Sequence, residues 1–319
     1  MQLEKSLGKR SFHTGSLLSS HTHSHNIQDG KLRFPSCFYF DNIKCVRSSS
    51  LVEINFYFPE PALVKDKQKL VDLIIEAMRN ENTIEYAGYA NENMLRKDLL
   101  HRIGNYNNSK YRNLSEKEKR RISKTIQTTI KRCNKILPLP TKNFIFIFPW
   151  FPSEKDSALN GSFGFAVYSC VLHLFVAPDI FTEEAIANSV AHEINHTISF
   201  YYHFDRYAQW SLLDHIVNEG LAENFREDVL KTKPAPWAIA LSEQKASEIL
   251  REVYPKINSK DDKLHQAVLF GNDKYKRWTG YSVGYWLVKK FRKMNQEISW
   301  EELMKTNPED ILKSVKNRA

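Results

Sequence analysis

The sequence predicts an α+β fold, with a small mixed β-sheet in the N-terminal half packed on a helical C-terminal half. Residues 52–58 alternate apolar and polar side chains, which is the two-residue period of a half-buried strand, and three short apolar runs follow between residues 143 and 177. Beyond residue 182 the apolar residues recur every three or four positions, which is the period of amphipathic helices. At 319 residues the chain is long enough to bury a substantial hydrophobic core.

Residues 1–50 differ in composition from the rest of the chain. Ser, His, Asn and Thr dominate residues 13–26, and no apolar period is sustained. Because such a segment buries too little apolar surface to offset the entropy of ordering, we predict a disordered arm at 1–50. The folded domain is expected at 51–319, divided into a sheet-containing part at 51–202 and a helical part at 203–319.

Four strands are expected in the sheet-containing part. In the first, Val52, Ile54 and Phe56 alternate with polar side chains until Pro59 closes the run. The other three are short apolar runs, one of them preceded by Gly161. The predicted strands lie at about 52–58, 143–148, 163–168 and 171–177.

Each predicted helix carries an apolar stripe, and several begin with a recognisable signal. Ser115 and Glu118 have the spacing of a capping box. Thr182 is placed to cap the helix that follows it, and Pro308 stands at the first position of the last helix. The predicted helices lie at about 63–80, 115–136, 182–202, 211–230, 242–253, 281–294 and 307–315.

A zinc-binding pattern lies within the helix expected at 182–202. Residues 191–196 read Ala-His-Glu-Ile-Asn-His, so His192 and His196 are about one helical turn apart. Both imidazoles project from one face and can reach a single ion. Glu193 directly follows the first histidine and is expected beside the metal, where a general base for its water belongs. The pattern predicts Zn2+ as the cofactor.

Glu219 is the predicted third ligand, because catalytic zinc has three protein ligands and one open position. It lies on the next predicted helix, 23 positions after His196, so a turn in the chain can return it to the two histidines. Glu223 is one turn further on the same face. We expect it to accept the ring N–H that a ligand histidine does not use for the metal.

Two other histidines lie close to these motifs. His203 fits no HExxHxxGxxH pattern, because that pattern needs a glycine and a histidine where this chain has Ser199 and Tyr202. His215 stands one turn before Glu219 and could face the site. We interpret it as a packing residue, or as a partner of a ligand, and not as a ligand itself.

HEINH followed by NEGLAE resembles the gluzincin pattern, whose ligands are two histidines and a later glutamate. Within the gluzincins, residues 60–300 resemble the YjaZ-like family of predicted Zn-dependent proteases, which share a downstream G-Y-x-x-G-Y segment, here residues 280–285. The resemblance implies a zincin-like fold with the metal site between the sheet and the helical half. It also implies a zinc metallopeptidase. The loop between the two motif helices is longer than in thermolysin-like enzymes, so substrate contacts are not implied.

Tyr281 and Tyr285 are candidate catalytic residues, because a neutral phenol can donate a hydrogen bond to a developing oxyanion. The alternative is that these tyrosines, four positions apart on one helix, pack in a core. By analogy with gluzincins, the strand near residues 161–166 would form the sheet edge above the cleft. An extended peptide could add there as a further strand. The alternative is a plain core strand flanked by glycines.

We therefore predict a zinc-dependent peptidase that acts on peptide or protein substrates, with Glu193 as general base. An endopeptidase is favoured because no insertion resembles an amine-anchoring aminopeptidase signature. The main alternative is a non-catalytic zinc-binding scaffold or regulatory protein. A structural zinc site has a fourth protein ligand, and no cysteine or histidine is obviously positioned for one.

The formal charge of +9 is partly local, because seven basic residues lie between positions 117 and 132. We interpret them as a solvated helix face and not as a nucleic-acid site, since no aromatic residues are interleaved. No apolar run reaches the roughly 18 residues of a membrane helix, and the arm lacks the apolar core of a secretory signal. With four scattered cysteines, a cytoplasmic location with reduced thiols is expected.

Overall fold

The structure is a computed structural model that describes residues 51–203 and 209–317. The arm predicted at 1–50 lies outside the described residues. The described chain combines one four-stranded sheet with helices, which confirms the α+β class. Within it, no helix has both the length and the apolar character needed to cross a membrane.

The sheet is mixed, and its four strands lie where the sequence predicts them. They are β1 (Val52–Phe56), β2 (Asn143–Pro149), β3 (Ser162–Tyr168) and β4 (Val171–Val176). The spatial order is β1-β2-β4-β3. β1 is parallel to β2 and β2 is parallel to β4, whereas β3 is antiparallel to β4. Because β3 stands at the end of this order, it is an edge strand.

Helices make up most of the rest of the described chain. They are α1 (Lys67–Asn80), α2 (Glu92–Arg102), α3 (Glu116–Ile136), α4 (Glu183–His203), α5 (Leu212–Leu230), α6 (Glu243–Val253), α7 (Asp262–Phe270), α8 (Thr279–Met294), α9 (Trp300–Lys305) and α10 (Pro308–Lys316). Seven of these correspond to predicted helices. The sequence patterns did not predict α2, α7 and α9.

The core lies on both faces of the sheet, because successive side chains of a strand point to opposite faces. Ile147 and Leu174 belong to the core that the sheet shares with α3, α4 and α5. Phe148 and Phe175 follow them directly and belong to the core shared with α1 and α2. All four are fully buried, and each such side chain stabilises the fold by about 1.5–3 kcal/mol.

The two motif helices begin at defined caps. Oγ1 of Thr182 accepts a 3.0 Å hydrogen bond from the backbone N–H of Ala185, as predicted for the start of α4. Ser211 and Asp214 form a capping box at the start of α5. These caps satisfy backbone groups that would otherwise be unpaired. They fix where each helix begins and therefore which of its residues face the neighbouring helix.

Candidate metal centre

The three residues predicted as zinc ligands lie together between α4 and α5. Nε2 of His192 is 2.9 Å from Nε2 of His196. Oε2 of Glu219 is 3.3 Å from the first nitrogen and 3.4 Å from the second. The three atoms lie within 4.8 Å of one another and could hold one metal ion. Two imidazole nitrogens and a carboxylate oxygen form a donor set that Zn2+ accepts.

The surroundings of the Glu219 carboxylate indicate that the site suits a cation. Its Oε2 is buried and makes no hydrogen bond of normal geometry with the described residues. Burial raises the pKa of Glu219, but His196 and His192 more than offset this and hold the pKa well below its usual range. A buried and ionised oxygen needs a partner, since leaving it unpaired is costly. A divalent cation bound by these three atoms would be that partner.

Glu223 was expected to accept the ring N–H of one of the two histidines, and in the structure that histidine is His192. The Nδ1–H of His192 donates to Oε1 of Glu223 across 2.7 Å. This hydrogen bond fixes the tautomer that leaves Nε2 available to a metal. Burial lowers the pKa of His192, yet Glu219 and Glu223 together raise it well above its ordinary value. A cation would displace the bound proton, because a ligand imidazole is neutral.

Three donors surround the carboxylate of Glu223, which is fully buried. Besides His192, the indole N–H of Trp237 donates to Oε1, and Nε of Arg226 donates to Oε2 at 3.1 Å. Arg226 is itself buried and also donates to Oδ1 of Asn188 at 2.8 Å. Neither donor was predicted from the sequence. Arg226 could have been found from its i,i+3 spacing to Glu223, whereas Trp237 follows the helix and has no such signal.

Asn218, also missed by the sequence analysis, is the neighbour of the second histidine. Its side-chain amide lies 2.8 Å from Nδ1 of His196, and its oxygen is buried without a hydrogen bond. With the amide rotated by 180°, that oxygen accepts the Nδ1–H and leaves Nε2 free for a metal. Each of the two histidines thus has its own hydrogen-bonding partner on α5. The position of Asn218 directly before Glu219 was the available signal.

Glu193 is buried and lies against the edge strand. Its Oε2 accepts a 2.8 Å hydrogen bond from the backbone N–H of Ala166 on β3. The side chain also packs on Gly164, where an added Cβ would lie 3.2 Å from Cδ of Glu193 and closer still to its Cγ. Glycine at position 164 therefore provides the space that the carboxylate needs between α4 and the sheet edge.

Tyr281 lies against the ligand cluster. Its ring stacks on His192, with centroids 6.3 Å apart and planes inclined by 22°, and Phe270 packs on it at a centroid distance of 6.2 Å. Burial raises the pKa of Tyr281, and Glu219 and Glu193 raise it further. The phenol consequently stays protonated at neutral pH and can act as a hydrogen-bond donor.

Tyr285 does not join this cluster. It is fully buried, and its hydroxyl donates a 2.7 Å hydrogen bond to Oε2 of Glu227, two turns of α5 beyond Glu219. The ammonium group of Lys289 also donates to the same hydroxyl. These contacts match the packing alternative for Tyr285, and a catalytic role for either tyrosine stays a prediction.

The two histidines that were set aside as ligands have other surroundings. Nε2 of His203 lies 2.8 Å from the carbonyl oxygen of Met304. The ring of His215 packs against Trp210 and His265, with centroid distances of 5.4 and 4.8 Å. Burial lowers the pKa of His215 to about 4, so this imidazole is neutral. The packing interpretation of His215 agrees with these contacts.

Comparison with known proteins gives one curated relative and one family. The chain is 24% identical over 191 residues to the uncharacterized protein YjfC of Bacillus subtilis (strain 168), an alignment that covers 55% of this chain and 63% of the relative. The chain thus spans less than two thirds of that protein's length. No solved structure matches. A family model described as "Predicted Zn-dependent protease (DUF2268)" matches residues 122–313, a range that contains α4, α5 and α8. The chain therefore belongs to this family of predicted Zn-dependent proteases.

Proposed function

We propose that this chain is a zinc metallopeptidase of the gluzincin type, in which His192, His196 and Glu219 hold the metal. The observation that carries the proposal is the convergence of three ligand atoms from two helices within 4.8 Å. An orienting partner for each histidine and the family membership support it. We propose for the fold a zincin-like arrangement, with the metal site between the sheet and the helical half.

Glu193 is the proposed general base. Bound Zn2+ supplies a Lewis acid that lowers the pKa of water to about 7. The carboxylate of Glu193 takes a proton from the attacking water and later delivers it to the leaving amine. The backbone N–H of Ala166 fixes one carboxylate oxygen by a 2.8 Å hydrogen bond, which leaves the other oxygen for this proton.

Tyr281 is the proposed donor to the oxyanion that forms on the scissile carbonyl. Its ring is held between His192 and Phe270, so the direction of its hydroxyl is restricted before substrate binds. A donor that is oriented in advance stabilises the transition state without reorganisation. Removing one such donor costs about 100- to 1,000-fold in kcat.

The edge strand β3 is the proposed docking site for the peptide substrate. The carbonyl of Gly161 accepts the N–H of Ala177 next to β4. Because hydrogen-bonded pairs alternate in antiparallel sheets, Ser162, Gly164 and Ala166 direct their backbone groups away from β4. The hydrogen bond from Ala166 to Glu193 agrees with this direction. Because Glu193 already takes the N–H of Ala166, an extended peptide would add chiefly to the backbone groups of Gly164 and would pass directly beside Glu193.

The proposal is tested by zinc analysis of the purified protein together with activity on a peptide library. Wild type and Glu193→Gln are expected to bind about one zinc per chain, and only the wild type should hydrolyse peptides. A Glu219→Gln variant should lose zinc affinity and activity together. Equal activity of wild type and Glu193→Gln would refute the assignment of the base.

The same measurement separates the alternatives. A non-catalytic zinc scaffold would bind zinc in both proteins and show no hydrolysis in either. Peptides that are acetylated at the N-terminus and amidated at the C-terminus distinguish endopeptidase from exopeptidase action. We propose an endopeptidase, which cleaves these capped peptides at internal bonds, whereas an exopeptidase leaves them intact.

A further inference from the structure

Helices α5 and α8 touch through their backbones at a pair of glycines. A Cβ added to Gly284 would lie 2.9 Å from the amide nitrogen of Gly220 and closer still to the carbonyl oxygen of Ile216. A Cβ added to Gly220 would lie 2.9 Å from Cα of Gly284 and closer still to its carbonyl. Both distances are shorter than 3.0 Å, the closest approach that Cβ atoms make in real structures. No side chain larger than hydrogen fits at either position unless the helices separate.

This crossing connects two parts of the candidate site. Gly220 directly follows the ligand Glu219 on α5, and Gly284 is three residues after Tyr281 on α8. Residues three positions apart lie on the same face of a helix. The distance between the two backbones at the crossing therefore determines how far the Tyr281 ring is from His192.

The start of α8 is fixed from a second direction. Arg277 donates to the buried carboxylate of Asp156 at 3.0 Å and to the carbonyl of Lys155 at 2.6 Å, so it joins α8 to the segment before β3. Trp278, which caps the helix, has a φ of 66°. This left-handed conformation is strained for a bulky residue and persists only where the surroundings enforce it. The helical turn that carries Tyr281 is thus fixed before it by Arg277 and Trp278 and after it by the contact of Gly284 with α5.

We propose that Gly284 is a positioning residue, which with Gly220 lets α8 approach α5 closely enough to place the Tyr281 hydroxyl at the reacting carbonyl. This inference rests on the proposed function and assigns a purpose to the G-Y-x-x-G-Y segment. In Gly284→Ala the helices must separate by roughly 1 Å, a displacement that costs about 100-fold in rate at a catalytic group.

The structural test compares crystal structures of wild type, Gly284→Ala and the matched control Gly280→Ala. The control makes the same substitution next to Tyr281, but its Cβ would chiefly meet the flexible end of Leu269, 2.6 Å away. We expect the Tyr281 ring to move away from His192 by roughly 1 Å in Gly284→Ala only, since the backbone there cannot yield. A ring that stays within a few tenths of an ångström of its wild-type position in Gly284→Ala would overturn the proposal.

The kinetic test is a double-mutant cycle with Tyr281→Phe. Gly284→Ala should lower kcat by about 100-fold, should keep one zinc per chain, and should lower kcat no further when Tyr281→Phe is already present. A general structural defect would lower kcat equally in both backgrounds, and that result would overturn the proposal. If wild type hydrolyses no peptide, the proposed function fails, and the crystal structures still decide where Gly284 holds the tyrosine.

A wild-type measurement covers the case in which Gly284→Ala does not fold. In crystals of the zinc-loaded protein with acetohydroxamate, the hydroxyl of Tyr281 should lie within about 3 Å of a hydroxamate oxygen, which is hydrogen-bond distance. A Tyr281 hydroxyl out of hydrogen-bond reach of the probe would show that the glycine crossing does not place it at the reacting group, and would overturn the proposal.

Discussion

Replacing Glu223 by Gln tests how the site holds His192. The carboxylate accepts hydrogen bonds from three donors, on His192, Trp237 and Arg226. A glutamine offers one oxygen and an NH2 group, so at least one of these donors would face another donor. Arg226, which is only 1% exposed, would also lose its charged partner.

This geometry gives the expected effects of Glu223→Gln on the free energy of unfolding and on metal affinity. Breaking a buried ion pair costs about 3–5 kcal/mol of unfolding free energy. We expect the low end of that range, because Arg226 keeps hydrogen bonds to Asn188, Thr232 and the carbonyl of Lys233. Loss of the partner that orients a ligand histidine lowers metal affinity by about 10- to 100-fold.

The assay combines urea unfolding of the zinc-free protein with zinc affinity from competition with a chelator. Glu227→Gln, one turn further along α5, is the matched control, because its carboxylate contacts Tyr285 and Lys289 and not the ligand cluster. A Glu223→Gln/Arg226→Met double variant should regain stability but not zinc affinity, since it removes the unpaired charge and leaves His192 without its acceptor. Wild-type zinc affinity in Glu223→Gln would refute this reasoning.

Three further predictions follow from the site. Gly164→Ala should displace Glu193 and lower kcat by about 100-fold with one zinc still bound; steady-state kinetics and metal analysis check this, and an unchanged kcat contradicts it. Tyr281→Phe should lower kcat by about 100- to 1,000-fold, whereas Tyr285→Phe should mainly reduce the free energy of unfolding; equal kinetic effects would contradict the assignment. The pKa of His192 is raised in the zinc-free fold, so protonation of His192 stabilises that fold. This stabilisation is complete below the unfolded pKa of about 6.5 and is lost as the pH rises through the folded pKa. Zinc affinity should rise with pH over the same window, because zinc replaces the proton on His192. Chelator competition at several pH values measures this affinity, and an affinity that does not change with pH would contradict the prediction.

The cluster of His192, His196 and Glu219 could be predicted from sequence because the spacing of these residues determines which helix face each one occupies. His192 and His196 share a helix face by their four-residue separation, and Glu219 is the acidic residue that the next helix can return to them. The cap expected at Thr182 sets where the first of these helices begins. The strands could also be predicted from sequence, because the first alternates apolar and polar residues and the other three are short apolar runs.

Other features depend on contacts that the sequence does not encode locally. Tyr281 and Tyr285 are both tyrosines on nearly the same face of α8, so the sequence does not distinguish them. The packing of α8 on α5 places Tyr281 against His192 and Tyr285 against Glu227. The helix α2 was missed because only Leu95, Leu99 and Arg102 of its eleven residues are buried, which is too few for a clear apolar stripe. The helices α7 and α9 are short, and tertiary packing determines them more than their own periodicity.

The proposed function requires that His192, His196 and Glu219 bind one zinc ion and leave one coordination position open. X-ray absorption at the zinc edge, with anomalous diffraction to locate the ion, tests it most directly. We predict two imidazole nitrogens at about 2.0–2.1 Å and one carboxylate oxygen at about 2.0–2.2 Å. Sulfur ligands at about 2.3 Å, or an ion bound away from these three side chains, would contradict the account.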